Sequence, residues 1–395
     1  KYCRGVMALT NDDSTNLAVA IAARLLAPAL PALCRAEHAD TVANMASFGT
    51  RHIINPFEKF AEYMALALHA PAAYNLLLWL TGLPGTTVAR HREPPKGKWV
   101  LCGYGAFGKV MTRALENAGL PVTIIDRSPP VDPAHHWVKG DGTGADALGS
   151  AGIHDAAGIV AATGNDVNNL SIVVTAHQMN PALFTVLRQN HVANRTLFDA
   201  FESDFTMVPA EIVAHECLAI LTTPLLTPFL DRVRSADDAW AGALLEELTG
   251  RFGWDVPCVW SVSINLLQSP AVYRVMMRHE ARLTLSALLR APVTDRPPLA
   301  CTPLLLLREG DPPRYLPDGE LEIRLGDQLL FAGTEEARRD LGNLMAPAAS
   351  YDARFSGTSP KLGVLYAPSA QSQWFANVSG SYEAPPFGEL VYSPT

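Results

Sequence analysis

The sequence predicts an α/β protein: tandem doubly wound parallel sheets, the first copy incomplete within this chain, followed by a small α+β C-terminal domain. Three observations carry that prediction. Residues 99–126 read as strand, glycine turn, helix and strand; strand-like and helix-like segments alternate on either side; and the chain matches itself at an offset of 153 residues. Such alternation implies a parallel sheet covered on both faces.

The unit at 99–126 is the clearest element. Trp99–Cys102 is a short apolar run that reads as a buried strand. Gly103-x-Gly105-x-x-Gly108 follows, then a helix-like Met111–Ala118 and a second apolar strand, Val122–Ile125, ending in Asp126. The spacing has a chemical reason. The first glycine permits a tight turn, the second lets a phosphate approach the backbone, and the third lets the helix pack on the strand. Free N–H groups at the helix start then face an anion. Asp126, 23 residues after Gly103, stands where a carboxylate accepts from ribose hydroxyls. An incidental glycine turn is the competing explanation, but it does not account for the acid or for the order of elements. The unit therefore reads as Rossmann-like.

The repeat supplies the rest of the α/β region. Residues 11–64 fall on 164–217 without a gap, with 13 identities in 54 positions, among them Asp13/Asp166, Asn16/Asn169, Arg35/Arg188, His38/His191 and Pro56/Pro209. Each copy reads as a strand (Gly5–Thr10, Gly158–Thr163), a helix (Asn16–Leu26, Asn169–Met179) and a strand (Ala32–Arg35, Phe184–Leu187). A helix, a short strand (His52–Ile54, Phe205–Val208) and a Pro-led helix follow. Residues 1–70 thus match only the second half of the later domain. The register places their partner half in roughly 56 residues ahead of Lys1, and upstream sequence is expected.

The domain reading is 1–83 for the partial first copy, 84–96 for an exposed Pro/Gly-rich linker, 97–236 for the complete copy, 237–345 for the α+β domain and 346–395 for an unassigned tail. Asp231–Asp238 reads as a charged turn into the α+β domain. There the pattern is short strands (Val259–Ile264, Leu304–Leu307), a hairpin over Tyr315–Gly333 and a helix over Glu335–Met345. Met64–Leu83 is uncharged for 20 residues, long enough to span a membrane. His69, Pro71 and Asn75 interrupt it, and its repeat holds His215 and Glu216, so a helix pair packed between domains is the preferred reading.

Composition narrows the function. Hydrophobic residues make up 48% and charged residues 18% of the chain, as in a globular protein, and a net charge of -8 argues against nucleic acid as a partner. No signal peptide opens the chain. The six cysteines lack metal-ligand spacing and suit reduced thiols in the cytosol.

The glycine motif, Asp126, Gly140-Asp141-Gly142, Ala151-Gly152-Ile153, Thr163-Gly164-Asn165-Asp166 and Asn169 resemble the RCK (regulator of K⁺ conductance, Trk-type) nucleotide-binding domain. Thr10-Asn-Asp-Asp13, Asn16, Arg35 and Asn55-Pro56 resemble the second half of another such domain, and Leu316–Gly333 its C-terminal companion. The resemblance covers residues 1 to about 345. It implies a cytosolic, nucleotide-sensing gating module of a potassium channel or potassium transport system, on the cytoplasmic side of the cell membrane and without catalysis. It also implies four chains forming a ring of eight such domains, or a smaller assembly in some transporters, on a potassium pore or transporter subunit. The implied ligand is NAD(H) or an adenine nucleotide (AMP, ADP or ATP); a divalent cation is not readable from the sequence.

The implied binding set is Gly103, Tyr104, Gly105, Ala106, Phe107, Gly108, Asp126, Arg127, Asp141, Gly142, Thr163, Gly164, Asn165, Asp166, Asn169 and Arg188. An acid at 126 disfavours a 2′-phosphate, though Arg127 beside it can meet one. Several roles stay open on the residues alone. Asp141 takes the adenine amino group or is an exposed turn aspartate. Asn165 and Asp166 face the ligand or cap the next helix. Arg188 and its counterpart Arg35 meet phosphate or pair within the sheet rim. His38 and His191 read as surface histidines rather than metal ligands. The alternative function is an NAD-dependent oxidoreductase, against which stands the lack of an acid, base and substrate-anchor cluster after residue 236.

Overall fold

The computed structural model describes residues 5–82, 84–87, 92–130, 135–279, 282–290 and 298–346, and separately the backbone of 361–369 and 372–379. Cys3, Leu83, residues 88–91 of the linker and the remainder of the tail lie outside the described residues.

The complete α/β unit is a six-stranded parallel sheet built from β4 (Trp99–Cys102), β5 (Val122–Asp126), β6 (His136–Lys139), β7 (Gly158–Ala161), β8 (Phe184–Arg188) and β9 (Phe205–Met207), in the order β6-β5-β4-β7-β8-β9. The chain moves outward from β4 in one direction and returns to fill the other side. A crevice therefore opens between β4 and β7 at the strand carboxyl ends. β4, β7 and all but the last residue of β5 and β8 are buried, because helices α5 (Ala106–Asn117), α6 (Ala145–Ser150), α7 (Asp166–Met179) and α8 (Arg195–Phe201) cover the faces. Each fully buried Val, Leu or Ile of these strands contributes about 1.5–3 kcal/mol. Edge strand β6 buries none of its residues fully.

Ahead of it, β1 (Val6–Ala8), α1 (Asp13–Leu26), β2 (Ala32–Arg35), α2 (Ala39–Ser47) and β3 (His52–Ile54) form a three-stranded parallel sheet in the order β1-β2-β3. Its register repeats that of β7-β8-β9 residue for residue. Val6 pairs with Ala32 as Ile159 pairs with Thr185, and Leu33 with His52 as Val186 with Phe205. The side-chain network repeats as well. Asn16 and Asn169, both fully buried, each take the N–H and hydroxyl of Thr10 or Thr163 on Oδ1, and each donate Nδ2 to the carbonyl of Arg35 or Arg188. The offset of 153 is therefore a structural duplication.

The two copies exchange helices. α3 (Pro56–His69) leaves the first sheet and packs on the second: Phe57 and Phe60 lie 5.5 and 5.7 Å from Phe107 of α5. In return, α9 (Pro209–Thr222) sets Val213 and Cys217 against Leu33 and Ile54 of the first sheet. Where the helices cross, Tyr63 donates its hydroxyl to Glu216 at 3.0 Å; these two residues are equivalent in the repeat. The apolar run Met64–Leu83 is not one helix. The chain breaks at Ala70–Pro71, and α4 (Pro71–Thr81) buries Leu76, Leu77 and Trp79 against α10 (Leu226–Ser235) and α11 (Asp238–Phe252). Asp238 ties α4 to α11 by accepting from the N–H groups of Ala72 and Ala73. Among the described residues no single helix is long and apolar enough to cross a membrane; Pro209–Leu221 with Leu226–Ser235 passes only as a pair, bent by 118°.

Three further expectations need correction. The stretch after 236 opens with a 15-residue helix, α11, instead of short strands, because Ala241, Leu244, Leu245 and Leu248 fall on one helical face. The charges of Asp231–Asp238 lie mostly inside α10, not in a turn. Tyr315–Gly333 is no hairpin. The antiparallel sheet has the order β10 (Cys258–Ser263), β13 (Gln328–Gly333), β11 (Cys301–Leu307), β12 (Arg314–Tyr315), so β11 lies between the two segments. The actual hairpin joins β11 to β12, pairing Leu305 with Tyr315. Helices α12 (Pro270–His279), α13 (Leu285–Leu288) and α14 (Glu335–Met345) accompany this sheet.

The linker is exposed for most of its described length but held near both ends. Thr87 bridges Asp255, and Arg92 sits 3.6 Å from the carboxylate of Asp204. The unit after residue 346 is an antiparallel pair, β14 (Lys361–Ser369) and β15 (Ser372–Ser379).

Candidate functional site

The glycine turn and the crevice form one cavity of about 470 Å³ at the carboxyl ends of the strands. Gly103 ends β4 at φ +97°, a conformation costly for any side chain, and its N–H donates to Ile125 O at 2.9 Å. A Cβ on Gly108 would stand 2.0 Å from the Gly103 carbonyl oxygen, so only glycine lets α5 approach the turn. Gly105 is the N-cap of α5 and offers no capping side chain, leaving the N–H groups of the first turn to an external acceptor.

Asp126 closes one side. Its Oδ2 accepts from the Tyr104 N–H at 2.8 Å and its Oδ1 from the Ser128 N–H at 2.9 Å, so this acid holds the turn in place. Arg127 and Asp141 approach each other to 3.5 Å at the mouth. Asp141 accepts from the hydroxyl and the N–H of Thr143, which together with Arg127 hold its carboxyl below the ordinary value.

Thr163, Gly164 and Asn165 form the opposite wall, and Arg188 closes the far end. Its guanidinium lies 4.6 Å over the ring of Phe57, contributed by the first copy. No hydrogen bond is accepted from it among the described residues, and Nε is buried without a partner. Burial lowers the Arg188 guanidinium from its ordinary value; Glu37 and Asp166 oppose this, and the like charge of Arg35 adds to it. A cation so placed is disposed to take an anion.

Ten of the sixteen expected residues line this cavity, and six do not. Phe107 is fully buried against α3, Gly108 is used in packing, and Ala106 begins α5 behind the turn. Gly142 backs the wall, its absent Cβ facing Cys102 Sγ at 2.8 Å. Asn169 is consumed by the strand ends. Asp166 is 4% exposed and accepts from the N–H groups of Asn190 and His191 and from the amides of Asn190 and Asn194, which fixes the loop after β8. Ile125, Gly140, Ala162 and Asn168 line the cavity and were not expected. Asn168 alone left a readable signal, since it stands in the first turn of a helix that starts at a strand end. His38 is exposed beside Asp13, and no group of three metal-ligating side chains occurs among the described residues.

The duplicated acids give a testable pH dependence. Burial would raise Asp166, but the surrounding N–H groups outweigh it and hold its carboxyl below the ordinary 3.8. Burial would raise Asp13 likewise, but the N–H groups of Glu37 and His38 and the His38 ring hold it below its ordinary value. A depressed carboxyl contributes stability that is complete above its unfolded value and is lost as pH falls through its folded value. Melting temperature is therefore expected to fall steeply on acidification below about pH 4. Asp166→Asn should start lower at neutral pH and show a shallower acid limb.

The fold and cavity define a class: a doubly wound α/β domain with an anion-ready glycine turn at its topological switch point. The family model described as TrkA-N domain matches residues 1–56 and 99–209, so the match falls in both copies. Among curated relatives, the Trk system potassium uptake protein TrkA of Mycobacterium tuberculosis is 27% identical over 258 residues, 64% of this chain and 99% of that protein. Potassium channel protein 1 of Methanocaldococcus jannaschii is 24% identical over 147 residues, 35% of this chain and 44% of that one. The chain spans less than two thirds of the first relatives it matches, 18%, 44% and 60% of their lengths. The solved GsuK RCK domain aligns over 87% of this chain and 80% of its own, at 16% identity and a TM-score of 0.44.

Proposed function

We propose that this chain is the nucleotide-sensing regulatory module of a potassium channel or potassium transport system. The observation that carries the reading is the second-copy cavity. An uncapped helix start after a glycine turn faces a half-buried arginine whose Nε has no hydrogen-bond partner, and an acid for a ribose lies between them. The TrkA-N match and the potassium-system relatives supply the context. The ligand is NAD(H) or an adenine nucleotide. Residues 1–83 and 97–236 act as two nucleotide-fold domains joined by 84–96, with 237–345 as their companion. Four chains form a ring of eight such domains on the cytoplasmic side of the membrane, and occupancy shifts the population of ring arrangements instead of driving turnover.

A ligand that binds only the folded state raises its melting temperature. ADP or NAD at a hundredfold its dissociation constant should stabilise the protein by about 2.7 kcal/mol. Asp126→Ala or Arg188→Gln should remove most of that gain. An unchanged response in both variants, or steady hydride transfer from NADH to a carbonyl compound, would sink the reading.

A further inference from the structure

The duplicated network differs between the copies at one charged position. In the first copy, Arg35 donates to Asn11 through Nη1 and to Glu37 through Nη2, an ion pair whose side chains are 6% and 18% exposed. Moving 153 residues along turns Arg35 into Arg188, Glu37 into Asn190 and Asn11 into Gly164. Gly164 has no side chain to offer. The Asn190 amide is already held by Asp166 Oδ1 at 2.8 Å and by Thr163 O at 3.3 Å. One arginine is therefore neutralised from within its own copy, and its twin is left for something else.

We propose that Glu37 is an internal counter-ion shared by the two copies: it fills the anion position of the first and competes with the ligand's phosphate for Arg188 in the second. Two observations place it in both roles. Glu37 is bonded to Arg35, and its carbonyl accepts from Nδ2 of Asn55, whose Oδ1 takes the N–H of Phe57, the ring that lies under Arg188; its charge accordingly opposes the lowering of the Arg188 guanidinium. The first copy thus brings Phe57 to the arginine that closes the far end of the cavity. Because Asn11 and Glu37 take both terminal nitrogens of Arg35, the first copy rejects a polyphosphate. The second takes one, at an affinity that Glu37 holds down. The proposal rests on the cavity being a nucleotide site, and it names the feature recognised there: the phosphate furthest from the adenine.

The test uses the whole chain, calorimetric titration with ADP, and adenosine as the control without phosphate. The wild type is expected to bind one ADP per chain. Glu37→Gln should tighten ADP about tenfold, since a competing charge leaves a poorly solvated site, and should leave adenosine unchanged. Arg35→Gln should do the opposite and weaken ADP, because it frees Glu37 to pair with Arg188. Damage to packing alone would move both variants in one direction, so the same sign in both overturns the proposal. So does an unchanged ADP affinity in Glu37→Gln. If Glu37→Gln does not fold, the sign for Arg35→Gln decides, weakening supporting the proposal and tightening or no change overturning it. A wild type that binds no ADP would instead remove the nucleotide reading itself.

Discussion

Gly105→Asp is expected to leave the protein folded and abolish nucleotide binding, whereas Gly108→Ala, a smaller change three residues away, is expected to damage the fold. At Gly105 a Cβ meets nothing within 4 Å, and the backbone sits at φ −74°, which any residue adopts. The position is moreover the N-cap of α5, where aspartate outranks glycine by a few tenths of a kcal/mol. The new carboxylate would accept the N–H groups that otherwise face the ligand and would repel its phosphates. A loss of about a hundredfold in ADP affinity is expected, with the melting temperature unchanged or slightly raised. At Gly108 the Cβ lands 2.0 Å from the Gly103 oxygen, a backbone atom that cannot rotate aside. Forcing α5 away from β4 should cost about 3 kcal/mol, the upper end of ordinary overpacking. Differential scanning calorimetry with and without ADP separates the two. The glycine motif would lose its assigned roles if Gly105→Asp unfolded the protein and Gly108→Ala did not.

The contrast shows what could be read in the sequence. Spacing alone marked the turn, the acid of Asp126 and the buried strands, since each follows from a local rule about which residue a conformation admits. The repeat marked β1-β2-β3 and their register, because identities at Asn16/Asn169 and Asp13/Asp166 preserve hydrogen bonds that fix where strands end. The same residues show the limit of that reasoning. Asp166 and Asn169 sit inside a ligand-like motif yet face the scaffold, and no local pattern distinguishes a carboxylate aimed at a cavity from one aimed at the next loop. Phe57 over Arg188 was out of reach for another reason: the contact depends on α3 crossing to the other copy, a tertiary choice made by packing. The hairpin reading of Tyr315–Gly333 failed similarly, because a strand earlier in the chain, β11, lies between the two halves.

Asp327→Ala is expected to have the largest effect on stability outside the α/β region. Asp327 is fully buried, and Arg308, its partner, is 9% exposed. Arg308 donates through Nε and Nη2 to the two carboxylate oxygens at 2.8 Å each, and the Arg324 N–H donates to Oδ2 at 2.8 Å. This pair pins the turn before β13 beneath the end of β11, the arrangement that keeps Tyr315–Gly333 from closing on itself. Removing the acid leaves a guanidinium sequestered from water with its remaining contacts at Glu322 O and Asp311, and takes the acceptor from the Arg324 N–H. Breaking one partner of a buried pair costs about 3–5 kcal/mol, more than the pair itself contributes, because the leftover charge must be solvated by rearrangement. The double variant Arg308→Met with Asp327→Leu should therefore be more stable than Asp327→Ala alone. Leu330 and Ala332 of β13 belong to the core that also holds α4 and α11. Loss of the pair should consequently loosen the helices that leave both copies, lowering the cooperativity of melting as well as its midpoint. Denaturant titration of the three proteins measures this; a single variant no less stable than the double would show that the pair is not what orders β13.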